Sequence, residues 1–141
     1  MKKSSLVTTC VSALLGLWGA SALAEGSTSC TLATLRGTYA FSGTGTDGGM
    51  PYSTSGRETY DGRGHIHYYQ LWDEAGVSTP YEGTGTYTMD ADCVAHATYG
   101  PNNHWTYFVA PEGGVFYFNN NNNTGLMSAG REDRISFVLL F

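Results

Sequence analysis

From Gly37 onward the chain is punctuated by Gly, Asp, Asn or Pro at intervals of about ten residues, and no stretch between these breaks carries apolar residues at helical spacing. What lies between them is short and rich in Tyr, Phe, Thr and Val, residue types that suit a pleated, half-buried surface. Such a pattern predicts an all-β domain of antiparallel strands joined by tight turns. Strands are expected near residues 37–43, 55–60, 65–72, 85–89, 93–99, 105–110, 115–119, 126–131 and 134–141. The proposed breaks contain Pro80, Pro101 and Pro111, where a missing amide donor does least harm. The run Asn119–Asn123 reads as a surface loop, since asparagine tolerates left-handed turn geometry, and Asn122-Asn123-Thr124 matches a glycosylation sequon.

Many short strands with regular turns make either a sandwich or a barrel. A barrel is favoured because closure removes the free strand edges that would endanger a chain with ten tyrosines and six phenylalanines. The phrases Gly37-Thr38-Tyr39 and Gly85-Thr86-Tyr87 repeat, which marks similar strand starts.

The first 24 residues have a separate character. Lys2 and Lys3 precede an apolar stretch from Leu6 to Gly19, and Ala22-Leu23-Ala24 supplies a small-x-small cleavage pattern. The expectation is a cleaved signal peptide over 1–24 and a single domain over 25–141, secreted or periplasmic, with no membrane span once the leader is gone. Cys10 leaves with the leader. Cys30 and Cys93 then form an even pair in an oxidising compartment, which predicts one disulfide.

Residues 25–141 hold five arginines, no lysine and all twelve acids, a formal charge of −7, which argues against a nucleic-acid partner. The alternating C-terminal stretch Ile135, Phe137, Leu139 and Phe141 resembles the last strand of an outer-membrane barrel. Val138 and Leu140 make its other face apolar as well, so a strand sealed on both sides within a soluble fold explains it better.

The phrases Leu35-x-Gly37-x-Tyr39-x-Phe41, Tyr60-Asp61-Gly62-x-Gly64 and Gly83-x-Gly85-x-Tyr87, with Asp92-Cys93 following and Cys30 ahead, run from Cys30 to about Arg131. In these the chain resembles a group of small secreted bacterial proteins that look like calycin or allene-oxide-cyclase-type β-barrels. The resemblance implies a barrel of about eight strands with an interior the size of a small molecule. It supplies no catalytic residue set, because its motifs are turns and strands.

The chemistry therefore rests on the residues around Tyr60–Gly64. His65 and His67 share one strand face and are weak metal candidates, requiring Glu58 from the neighbouring strand to complete a site. Whether it does depends on register. A two- or four-residue loop sets Glu58 and Tyr60 on the face of His65 and His67, whereas a three-residue loop sets them with Ile66, Tyr68, Gln70 and Trp72. The second grouping is the more consistent hydrophobically, so no metal site is expected and no cofactor is implied. It also turns Glu58 inward, where a carboxyl among tyrosines has a raised pKa unless hydrogen bonds or Arg57 satisfy it.

Candidate ligand-binding residues are accordingly Tyr39, Glu58, Tyr60, Tyr68, Gln70 and Trp72, with Glu58 the candidate catalytic group. Tyr39, Phe41, Tyr87, Phe116 and Phe118 are read more simply as core. The Gly43–Gly49 stretch lacks the lysine of a phosphate loop, and no Gly-x-Ser-x-Gly is present. The function expected is binding of a small, partly apolar molecule inside the barrel. Two alternatives stay open: a cofactor-independent cyclase or isomerase on the same barrel, and a structural or surface-interaction protein with a filled barrel. A homo-oligomer would use the outward strand face that carries the histidines.

Overall fold

The computed structural model describes residues 29–120, 122 and 125–141; the leader expected over 1–24 and the sequon residues Asn123 and Thr124 lie outside the described residues. Eight strands close into an antiparallel barrel in sequence order. They are β1 Gly37–Asp47, β2 Met50–Tyr60, β3 His65–Glu74, β4 Val77–Met89, β5 Val94–Thr98, β6 His104–Val109, β7 Val115–Asn120 and β8 Met127–Ser136. A 3₁₀ turn, Leu32–Leu35, precedes β1.

Three expectations are corrected. The two strands expected over 126–131 and 134–141 are one strand, β8, so the barrel has eight strands and not nine. The charged run Arg131–Arg134 resembles a turn, but Glu132 is buried while Arg131 and Asp133 are exposed, so strand alternation passes straight through it. Beyond Ser136 no strand continues, because β8 pairs along β1 only as far as Thr38. Residues 137–141 instead lie across the outside of β1 and β2. The hydroxyl of Thr38 donates to the Val138 carbonyl at 2.8 Å, and that of Thr59 to the Leu140 carbonyl at 2.7 Å.

The third correction concerns Pro80, which lies inside β4 opposite Leu71 and not in a turn. β5 is short and pairs only with Thr86–Met89, so the first half of β4 is an edge where proline is tolerated.

The short strands also give the barrel two unlike ends. At one, Leu35 of the 3₁₀ turn is fully buried and joins Tyr39, Tyr60, Ile66, Tyr107 and Phe116 in a packed plug. The rings meet edge to face or tilted, with Tyr39 5.3 Å from both Tyr60 and Phe116, an arrangement that suits aromatic quadrupoles. Arg134 closes this end: its Nε and Nη2 donate to the Tyr39 hydroxyl at 2.9 and 2.7 Å, and Nη2 also donates to the Thr34 carbonyl. The predicted disulfide, Cys30–Cys93, pins the segment before the turn to the start of β5, with a Cα–Cα distance of 5.0 Å. The other end is open.

Candidate functional site

The β2–β3 hairpin decides which face Glu58 occupies. Tyr60 pairs with Ile66, Thr59 with His67 and Glu58 with Tyr68. Glu58 therefore shares the inward face with Tyr60, Ile66, Tyr68, Gln70 and Trp72. The Asp61 amide donates to the His65 carbonyl at 3.1 Å, so residues 62–64 form a three-residue loop, the arrangement that the hydrophobic grouping favours. Asp61 organises it, its Oδ1 accepting from the backbone amides of Arg63 at 2.7 Å and His65 at 3.0 Å. Gly62 and Gly64 supply the positive φ values, 77° and 108°, that the turn demands.

With this register the histidines are turned away from Glu58. His65 Nδ1 lies 2.8 Å from Asp61 Oδ2, and His67 Nε2 lies 3.4 Å from Glu82 Oε1. The three residues of the weak metal arrangement do not converge, and among the described residues no group of three His, Cys, Asp or Glu side chains is placed to hold a metal ion.

At the open end the barrel encloses a cavity of about 90 Å³ whose wall is aromatic: Phe41, Tyr68, Trp72, Tyr99, Trp105 and Phe118. Thr54, Gln70 and Asn103 add neutral polar groups, and the charged residue types in the lining are Glu58 and Glu132. Tyr52 stacks on Trp72, the ring centroids 3.6 Å apart, and Trp105 packs edgewise on Phe118 at 5.4 Å. The indole Nε1–H groups of Trp72 and Trp105 donate to Glu74 and Asn103 respectively, so both rings are held in place.

The floor is a network of hydroxyls and carboxyls. Glu58 Oε2 accepts from the hydroxyl of Tyr60 and, at 2.6 Å, from that of Tyr99. The Tyr99 and Tyr107 hydroxyls are 2.5 Å apart, and the Tyr60 hydroxyl also lies 3.5 Å from Glu132 Oε2. Because Tyr99 gives its only proton to Glu58, Tyr107 is the donor to Tyr99. Glu58 is thus the acceptor on which the network ends.

Burial pushes the Glu58 carboxyl up to about 7, against the stabilising pull of the Tyr60 and Tyr99 hydrogen bonds. Burial and, next, the neighbouring Glu58 charge hold Glu132 well above the usual carboxylate range. Burial likewise raises Tyr60, Tyr99 and Tyr107 well above the ordinary phenol value, so all three are neutral donors at physiological pH. Two buried carboxyls around one tyrosine hydroxyl cannot both be charged without cost, and the pair holds a proton that it can release.

Of the residues singled out from sequence, Glu58, Tyr68, Gln70 and Trp72 meet on the cavity wall. Tyr60 lies directly beneath Glu58, and Tyr39 sits deeper, in the plug, where its hydroxyl donates to the Gly113 carbonyl at 2.5 Å. Arg57, the alternative partner for Glu58, faces outward and leaves the carboxyl to the tyrosines. Phe41 and Phe118, read as core, border the cavity. Glu132, Tyr99, Trp105 and Tyr107 are site residues that sequence reasoning misses; the one signal for Glu132 is the inward period Ser128, Gly130, Glu132 that continues through the charged run.

The chain matches no family model and no curated protein. Among solved structures it resembles a de novo designed fluorescence-activating β-barrel, with a TM-score of 0.50 and 15% identity over 74% of this chain and 98% of that one. It also resembles a redesigned β-barrel, mFAP1, bound to DFHBI, with a TM-score of 0.50 and 18% identity over the same shares of the two chains. At such identities the likeness is one of architecture, and it places this chain among closed eight-stranded antiparallel barrels.

Proposed function

We propose that this protein binds a small, partly aromatic molecule in the open end of its barrel. The observation that carries the reading is the cavity itself: a ring of fixed aromatic side chains above two buried carboxyls, in a barrel whose opposite end is filled. Small eight-stranded barrels either fill their interior with side chains or hold one ligand, and this one does the first at its closed end only. Aromatic walls and a few convergent polar groups are the usual make-up of a ligand site. That mFAP1 is described as bound to DFHBI supports a barrel of this architecture accommodating a small molecule. The Cys30–Cys93 bond is of a kind that oxidising compartments preserve, which supports a secreted or periplasmic protein.

A second reading is favoured by one observation, the elevation of Glu58 to about 7. A carboxyl poised there, with Tyr60 and Tyr99 donating to it, can take up or return a proton at neutral pH, as a cofactor-independent cyclase or isomerase requires. The test that separates the readings is native mass spectrometry of the protein from its own host, before and after denaturing extraction. A bound mass released unchanged supports the carrier. A bare protein that shows no saturable site for an apolar dye such as Nile red contradicts it.

A further inference from the structure

The charge in the cavity is one-sided. Glu58 and Glu132 are 7% and 2% exposed, and Oε1 of each has no hydrogen-bond partner among the described residues, although both side chains line the cavity. No arginine or histidine belongs to the lining among the described residues. The guanidinium of Arg134 is bonded to Tyr39 and Thr34 in the plug, on the far side of Tyr60. Buried carboxyls are ordinarily paired with a cation or fully hydrogen-bonded, and here neither holds. Trp72, Trp105 and Tyr68 line the same space, and aromatic rings of this kind attract a cation through their quadrupole.

Building on the binding function proposed above, we infer that the cavity selects organic cations: a flat ring held between the aromatic walls, with a protonated amine seated against the free oxygens of Glu58 and Glu132. An ammonium there supplies the missing counter-charge and donates up to three hydrogen bonds. Overall charge works in the same direction, since the chain carries a formal net charge of −5 and draws cations towards it. An anionic ligand would instead face two carboxyls with no positive partner. The titratable groups that face the pair are Tyr39 on β1, Tyr60 on β2, Tyr68 on β3, Tyr99 after β5 and Tyr107 on β6, while β7 contributes Phe116 and Phe118 and the Tyr87 hydroxyl on β4 donates instead to the Leu32 carbonyl at 2.8 Å. None of these can neutralise the carboxyls. Entry of an ammonium therefore expels the proton that the empty pair retains, and binding releases it to the buffer.

The test compares three ligands with one ring system and three charges: tryptamine (cationic), tryptophol (neutral) and indole-3-acetate (anionic). Isothermal titration is run at about pH 7 in two buffers of different ionisation enthalpy, with Nile red as an independent reporter of the cavity. The expected result is an affinity for tryptamine at least about tenfold above that for tryptophol, with indole-3-acetate weakest. Tryptamine binding is also expected to release protons, and to weaken from about pH 8 to about pH 6 as the pair protonates. Glu132→Gln and Glu58→Gln should each shrink the preference for tryptamine; the proton release, read on the unaltered protein, does not depend on how those variants fold. Equal or tighter binding of tryptophol, or tryptamine binding without proton release, overturns cation selection and leaves the ligand site standing. Saturable Nile red binding with no affinity for any of the three also overturns it. Failure of all four compounds to bind overturns the binding function as well.

Discussion

Glu58 on β2 and Glu132 on β8 are separated by the whole of β1, yet one phenol serves both: the Tyr60 hydroxyl donates to Glu58 and lies 3.5 Å from Glu132. Burying two carboxyls around a single hydroxyl gives the fold a pH dependence of defined sign. Both groups titrate higher in the fold than at the ordinary glutamate value of 4.5, so above about pH 4.5 the native state retains protons that the unfolded chain has lost. Their protonated forms give stability that is full below about pH 4.5 and is lost as pH rises towards 7 and beyond. Asp61, held below its usual value by amide and His65 hydrogen bonds, acts oppositely and loses its contribution only at lower pH. Thermal denaturation should show a maximum near about pH 5 and a decline of a few kcal/mol by about pH 8, since a tenfold change in proton affinity is worth roughly 1.4 kcal/mol. Glu58→Gln should flatten that decline.

The bond between Cys30 and Cys93 closes 63 residues of sequence. Constraining a loop of that span stabilises a fold by about 4 kcal/mol in the chain-entropy model. Reduction with a thiol under native conditions should lower the denaturant midpoint by a corresponding amount, and Cys30→Ala should reproduce the loss.

Glycines in β8 and in the β1–β2 turn should differ in what they tolerate. A Cβ on Gly130 would stand 2.2 Å from the Phe118 ring and 2.3 Å from the Ser42 carbonyl, so Gly130→Ala must push β8 off β1 and disturb the cavity wall. A cost above about 2 kcal/mol is expected, as for other overpacked sites. At Gly48 nothing lies within 4 Å and only its φ of 56° opposes a side chain, so Gly48→Ala should cost about 1 kcal/mol. Paired chemical denaturation curves of the two variants measure the difference.

Thr38 and Thr59 are almost wholly buried on the outer side of the sheet because residues 137–141 cover them. Removing that segment would unpair neither side chain from the other, since their hydroxyls are 3.1 Å apart, but it would strip both of their carbonyl partners. Deletion of 137–141 should destabilise the barrel by about 1–3 kcal/mol, and amide exchange should rise along β1 and β2 where the cover is lost.

Much of this architecture is legible in the sequence. Alternation and turn spacing locate the strands, and the grouping of Tyr60 with Ile66, Tyr68 and Trp72 puts Glu58 inside, because a hydrophobic face cannot be turned to solvent without cost. What escapes is of two kinds. Arg131-Glu132-Asp133-Arg134 carries charge at every position, so local composition conceals that Glu132 points into the barrel. Tyr99, Trp105 and Tyr107 reach the site through the closure of β5 and β6 onto the barrel, a long-range event that no local pattern records. The length of β4 is hidden by Pro80, whose tolerance depends on the shortness of β5.

The central claim is that a small molecule occupies the open end of the barrel, and the indole N–H groups of Trp72 and Trp105 are reporters built into its wall. In ¹H–¹⁵N spectra recorded during titration with tryptamine, both indole signals should shift together and saturate, while the amides of Phe108 and Tyr117 on the outer face of β6 and β7 stay fixed. Indole signals that move neither with tryptamine nor with Nile red, or changes confined to the outer face, would contradict the binding function.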